Sequence, residues 1–230
     1  MKAHFLAVIL STALVGAAAA AEEATYRVTV EGTWTATSHP QEYPGDAHFS
    51  WLTGATHDEG YRLFEAGGIA TPGLEALAED GELSPYDAEI EAAIDRGSVG
   101  ALFQARPIER MPGTTAFEIT VDERHPLVSL ATMIAPSPDW FTGVADVRLL
   151  EKGGWIAEKT LALEAWDAGT DSGANFTSPD ADTMPRGQVG RIDTAQFAVN
   201  GKPVPVGTVT FKRLQPDQSR PHGLAQRNGS

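Results

Sequence analysis

Leu127 to Ile134, LVSLATMI, is a nearly continuous apolar run. A stretch of this kind reads as a central β-strand. Shorter-range patterns around it point the same way. Tyr26, Val28 and Val30 alternate with Arg27, Thr29 and Glu31, and Phe117, Ile119 and Val121 alternate with Glu118, Thr120 and Asp122. Both are the signature of half-buried strands. Val144 to Leu150 reads as a short strand, Gly153-Gly154 as a turn, and Ile156 to Ala165 as a strand with Leu161 and Leu163 on one face. Thr208 to Leu214 closes the series. Strands on both sides of a helical middle, with no linker flanking it, predict a mainly β chain: an antiparallel β-sandwich with an inserted helical segment.

The helical signals fall mainly within residues 58–97. Pro72 to Asp80 has proline in its first turn and ends at Gly81. Ser84 and Asp87 have the spacing of a capping box, Pro85 takes the first helical position, and Gly97 ends a helix whose apolar stripe is Ile90, Ala93 and Ile94. A further helix is predicted over Gly60 to Ala66, capped by His57 or Asp58.

The beginning of the chain reads as an export signal. Lys2 gives a positive start, Phe5 to Val15 an apolar segment, and Ala17 to Ala21 a small-residue cleavage site. The expected organisation is a signal peptide over 1–21, one domain over 22–214 and a disordered polar tail over 215–230. Cleavage at Ala21 leaves about 209 residues, a size a single β-rich domain commonly reaches. A secreted or periplasmic location follows, without stable membrane insertion. There is no cysteine, so neither a disulfide framework nor a lipidated cysteine holds the protein. The net charge of −14 excludes non-specific attraction to nucleic acid and to anionic membranes.

Two loop-like runs carry the chemistry. Pro136-Ser137-Pro138-Asp139-Trp140 follows the central strand, and Trp166-Asp167-Ala168-Gly169-Thr170-Asp171-Ser172-Gly173 follows the later one. Turns of this composition expose backbone carbonyls and adopt unusual dihedral angles. Placed at one end of a sheet, Asp139, Asp167 and Asp171 would repel one another unless a proton or cation offset them. Hard oxygen donors on loops suit Ca²⁺. The competing reading is that each aspartate caps its own turn. The second run does not have the spacing of an EF-hand loop.

These two runs, in this order, resemble the spondin N-terminal domain, the module shared by F-spondin and mindin and by many bacterial secreted proteins. Tyr26 to Trp34, His39-Pro40, His48 to Leu52, Gly54, His57 and the entry of Leu127 to Ile134 into Pro-Ser-Pro-Asp-Trp follow the same pattern, so the likeness spans roughly residues 25–213. The resemblance implies a C2-like antiparallel sandwich, a calcium site on Asp139, Asp167 and Asp171, and recognition of a cell-surface or matrix protein or a glycan. The integrin-type version of the site adds a glutamate whose place falls on Thr120, which carries no charge; Glu118, one strand step away, is the nearest substitute. Animal members carry cysteines that this chain lacks.

Other signals are weaker. Trp140 and Trp166 beside the aspartates read as buried packing, with a sugar-stacking platform as the functional alternative. His39, His48 and His57 lack zinc-ligand spacing and read as satisfied loop or core residues. No nucleophile elbow, phosphate loop or metalloprotease motif is present, so the chain reads as a non-catalytic binding module. The alternatives are an extracellular hydrolase using the loop aspartates and a structural protein without a specific ligand.

Overall fold

The protein is described here by a computed structural model covering residues 23–215. The expected signal peptide and all but Gln215 of the expected tail lie outside the described residues. The principal strands are β1 (Glu23–Gly32), β2 (Leu52–His57), β3 (Val99–Ala105), β4 (Gly113–Asp122), β5 (Leu127–Ala135), β6 (Trp140–Arg148), β7 (Glu158–Asp167) and β8 (Gly207–Arg213). Two helices, α1 (Pro72–Asp80) and α2 (Tyr86–Asp95), lie between β2 and β3.

The strand order is β3-β2-β5-β6-β7-β8-β1-β4, antiparallel throughout. β7 turns the corner between layers: Glu158–Leu163 pair with β8, whereas Glu164–Asp167 pair with β6. At the other side β3 and β4 approach each other, with the rings of Phe103 and Phe117 5.4 Å apart. The result is a nearly closed antiparallel sandwich, as the strand alternation predicts.

One core fills the interior between layers. Tyr26, Val28 and Val30 of β1, Val128, Leu130 and Ile134 of β5, and Val209 and Phe211 of β8 all contribute. A second core lies on the outer face, where Leu74 and Leu77 of α1 and Tyr86 and Ile90 of α2 cover Ala55, Ala131 and Phe141. This explains the nearly continuous apolar run: every residue of β5 is buried, because it has the sandwich on one face and helices on the other.

The helix boundaries partly follow the sequence rules. Thr71 caps α1, its hydroxyl accepting the Leu74 amide at 3.2 Å, and Gly81 ends it in the left-handed region at φ 69°. The capping box at Ser84 is not formed. Pro85 itself is the N-cap, and no side chain caps α2. Glu89 instead braces the two helices, its carboxylate accepting the Gly73 amide at 2.8 Å. Gly60 to Ala66 is not helical: the Asp58 carboxylate takes the Gly60 amide at 2.7 Å and closes a turn. The strand expected to begin at Val144 begins at Trp140, and this places Asp139 at the very end of the sheet.

Candidate metal centre

Asp139, Asp167 and Asp171 converge at one end of the sandwich. β6 begins at Trp140 and β7 ends at Asp167, and these two residues are register partners. Asp139 therefore sits directly beside the strand end that carries Asp167. The Ala168 amide donates to the Asp139 carbonyl at 3.1 Å and extends the ladder past the sheet.

The loop after β7 then folds over Asp139. Its Oδ2 accepts the amides of Thr170 at 2.8 Å and Asp171 at 3.1 Å. Asp167 takes the Gly169 amide at 2.8 Å, which is an Asx-type turn. The carboxylate of Asp171 accepts the amides of Gly173 at 2.6 Å and Ala181 at 2.5 Å. Each aspartate does cap local backbone, as the simpler reading supposed. Capping leaves two features unexplained.

The first is Asp139 Oδ1. Asp139 is fully buried, yet Oδ1 has no hydrogen-bond partner. A buried carboxylate oxygen without a partner costs of order 1–3 kcal/mol, more when charged, so this atom is an unfilled acceptor for a proton or ligand for a cation. The second is the crowding of charge. Burial, and then the neighbouring Asp139 carboxylate, push Asp167 up to about 6. Burial also raises Asp139, aided by the nearby Asp171 carboxylate and opposed by the amides on its Oδ2. These are the electrostatics of carboxylates that share a corner without a counter-charge.

Two glycines allow the loop its path. Gly169 has φ +76°, and a Cβ there would lie 2.6 Å from the carbonyl carbon of Gly187. The Gly187 amide donates to Gly169 O at 2.7 Å, and the Thr183 amide to Thr170 O at 2.8 Å. The returning segment thus pins the loop from outside.

One carboxylate at this corner has no counterpart in the sequence-predicted set. Glu79 of α1 has a buried Oε1 without a hydrogen-bond partner. Burial raises its pKa most, with Glu75 and Asp139 adding to the rise and the Thr170 hydroxyl and Arg186 opposing it. Glu79 also belongs to a different group: with Glu75 and Asp182 it forms the set of three acidic residues whose oxygens approach within 4.8 Å among the described residues. The three aspartates do not close to that spacing. The Glu75 and Asp182 carboxylates already have a cation, because Arg186 pairs with both and donates to Thr170 O at 2.8 Å. Among the described residues none of Asp139, Asp167, Asp171 and Glu79 is in an ion pair.

Glu118 and Thr120 lie elsewhere. Both are exposed on β4, where Glu118 is 3.7 Å from Arg27 and the Thr120 hydroxyl 3.3 Å from that of Thr25. The tryptophans beside the site are packing elements. Trp140 is buried against Phe176 and Phe197, at ring separations of 5.1 and 5.4 Å, and Trp166 packs on Phe64 and Phe141. The histidines are satisfied locally. His39 bonds Val204 O, His48 bonds Asp46 O, and buried His57 bonds Asp58 O and the Ser129 hydroxyl. No helix among the described residues is long and apolar enough to cross a membrane.

Comparison with known proteins adds the lineage. Rat Spondin-2 is 37% identical over 84% of this chain and human Spondin-2 39% over 75%. Human Spondin-1 is 36% identical over 72%. The chain spans 62% of rat Spondin-2 and 21% of human Spondin-1, so it matches a part of each. The Spondin_N family model matches residues 24–203. With the antiparallel sandwich and the two aspartate loops at its end, this match establishes that the chain belongs to the spondin N-terminal domain family.

Proposed function

We propose that this chain is a secreted, calcium-binding spondin-type module for extracellular recognition or adhesion. The observation that carries the metal is the buried, unpartnered Oδ1 of Asp139 at a corner where Asp167 and Asp171 also converge. Asp139 and Asp167 supply charge, Asp171 orders the loop and offers its remaining lone pairs, and Glu79 approaches from α1. Calcium needs 6–8 oxygen ligands, so loop carbonyls and water complete the shell. The ion, when bound, supplies the positive charge that this corner lacks and ties the loops after β5 and β7 to one another. That role suits a chain without disulfides.

The hydrolase alternative has less support. Asp139 is fully buried and out of reach of an external substrate, and both Asp171 oxygens already accept amides. A partner protein or glycan on a cell surface or matrix is the recognition target that family membership suggests. The test is a thermal melt of chelator-stripped protein with and without calcium, followed by a glycan and protein binding screen in both states. Calcium raises the melting temperature if the corner binds it, since a ligand of the folded state stabilises by mass action. Identical melts and identical screens contradict the proposal.

A further inference from the structure

A large cleft lies between the α1–α2 junction and the segment leading into β2. Its volume is about 1030 Å³. That is at the upper end of the roughly 300–1,000 Å³ typical of ligand sites and exceeds what a single side chain fills. Trp51 stands on its wall and is 46% exposed, unlike the buried Trp34, Trp140 and Trp155.

The walls of the cleft are acidic. Asp46, Asp80, Glu82, Asp87 and Glu109 line it, and Arg110 is the one arginine or lysine among the lining residues. None of these five carboxylates is in an ion pair among the described residues, although ten such pairs form elsewhere. Five carboxylates outside any ion pair thus share a cleft with an exposed indole.

The wall is also held in place. The Ser50 hydroxyl accepts the Met133 amide at 3.1 Å, and the Thr132 hydroxyl donates to Ser50 O at 3.0 Å. Both bonds fix the base of Trp51 to β5. Across the cleft, Gly81 packs so closely on Ser50 that a Cβ would lie 2.8 Å from the Ser50 Cβ. The indole is therefore presented from a rigid edge, with little order left to impose on binding.

We propose that this cleft binds an extended basic peptide segment of a partner protein, with a lysine or arginine over the Trp51 ring and further basic side chains on the surrounding carboxylates. An aromatic face attracts a cation, and a rim of one sign selects and steers a partner of the opposite sign. The volume of the cleft favours a segment over a lone cation, and its five carboxylates argue against an acidic ligand. The inference does not rest on the metal, since none of the three aspartates lines this cleft.

The test uses the whole protein and a short fluorescent peptide of alternating arginine and alanine, with a glutamate-alanine peptide as control. Fluorescence anisotropy is expected to show saturable binding of the arginine peptide alone, weakening as salt rises. Trp51→Ala should weaken it at least about fivefold, the scale of a desolvated cation–aromatic contact. The double variant Glu82→Gln with Glu109→Gln, both exposed residues, should weaken it about tenfold or more and flatten its salt dependence. Both variants are expected to melt within a few degrees of the parent. The proposal is overturned by no saturable binding, by equal binding of the glutamate peptide, or by unchanged affinity in both variants, since binding spread over the acidic surface ignores Trp51.

Discussion

Asp139 accepts the Asp171 amide at 3.1 Å on one carboxylate oxygen and leaves the other buried without a partner. The relationship separates two jobs within one side chain. Oδ2 organises the loop after β7, and Oδ1 is left for a proton or a cation. Replacing Asp139 by alanine would orphan two amides as well as removing the ligand, at about 1–3 kcal/mol for each buried unsatisfied group. Asp139→Asn keeps an acceptor for those amides and removes the charge. The expected outcome is a folded protein whose calcium affinity falls at least about tenfold, because ligand charge sets affinity at such sites; circular dichroism with calcium titration checks both parts.

Asp167 gives the pH dependence. Its folded-state pKa is pushed up to about 6 from an ordinary value of 3.8. A carboxyl raised on folding contributes stability that is fully present below its unfolded pKa and is lost as pH rises through the folded one. Metal-free protein should therefore lose stability from this group between pH 4 and about 6. Calcium competes with that proton, so its affinity should rise over the same window. Melting temperature against pH, with chelator and with calcium, reads both effects, and Asp167→Asn should flatten the chelator curve.

Arg186 holds the outer face of the corner, joining Glu75, Asp182 and Thr170 O. Arg186→Met should cost about 1–3 kcal/mol by leaving the half-buried Glu75 carboxylate without a donor, while Thr170 O keeps the Thr183 amide. Calcium should recover part of this loss, since it reorders the same loop. Chemical denaturation with and without calcium measures the difference.

Gly169→Ala isolates backbone from charge. The residue has φ +76°, and the added Cβ would meet Gly187 at 2.6 Å. Strained positions of this kind cost of order 1–3 kcal/mol. The variant should lose stability and calcium affinity together while every carboxylate stays in place, which calorimetry and melting on one sample resolve.

Much of this was legible because it is local. The alternation Tyr26, Val28, Val30 reports a half-buried strand, and the Asp-Ala-Gly-Thr-Asp order reports a tight turn, wherever each stands in the fold. β2 was not legible. Its sequence LTGATH does not alternate, since all six residues are buried between β3 and β5, and Gly54 is small because Ser129 O would lie 2.3 Å from a Cβ. Pro85 displaced the expected capping box because it occupies the N-cap itself. Glu79 escaped notice for a similar reason. On α1 it reads as one more acid of a solvated face, and only the docking of that helix over the ends of β5 and β6 brings it beside Thr170 and Asp139. The Trp51 cleft likewise depends on segments far apart in sequence.

Isothermal titration of calcium into chelator-stripped protein tests the central claim most directly. One calcium should bind per chain in the parent, and Asp139→Asn should bind at least about tenfold more weakly while remaining folded. Absence of any binding heat, together with a melting temperature that calcium leaves unchanged, would contradict the account and reduce the three aspartates to caps of their own turns.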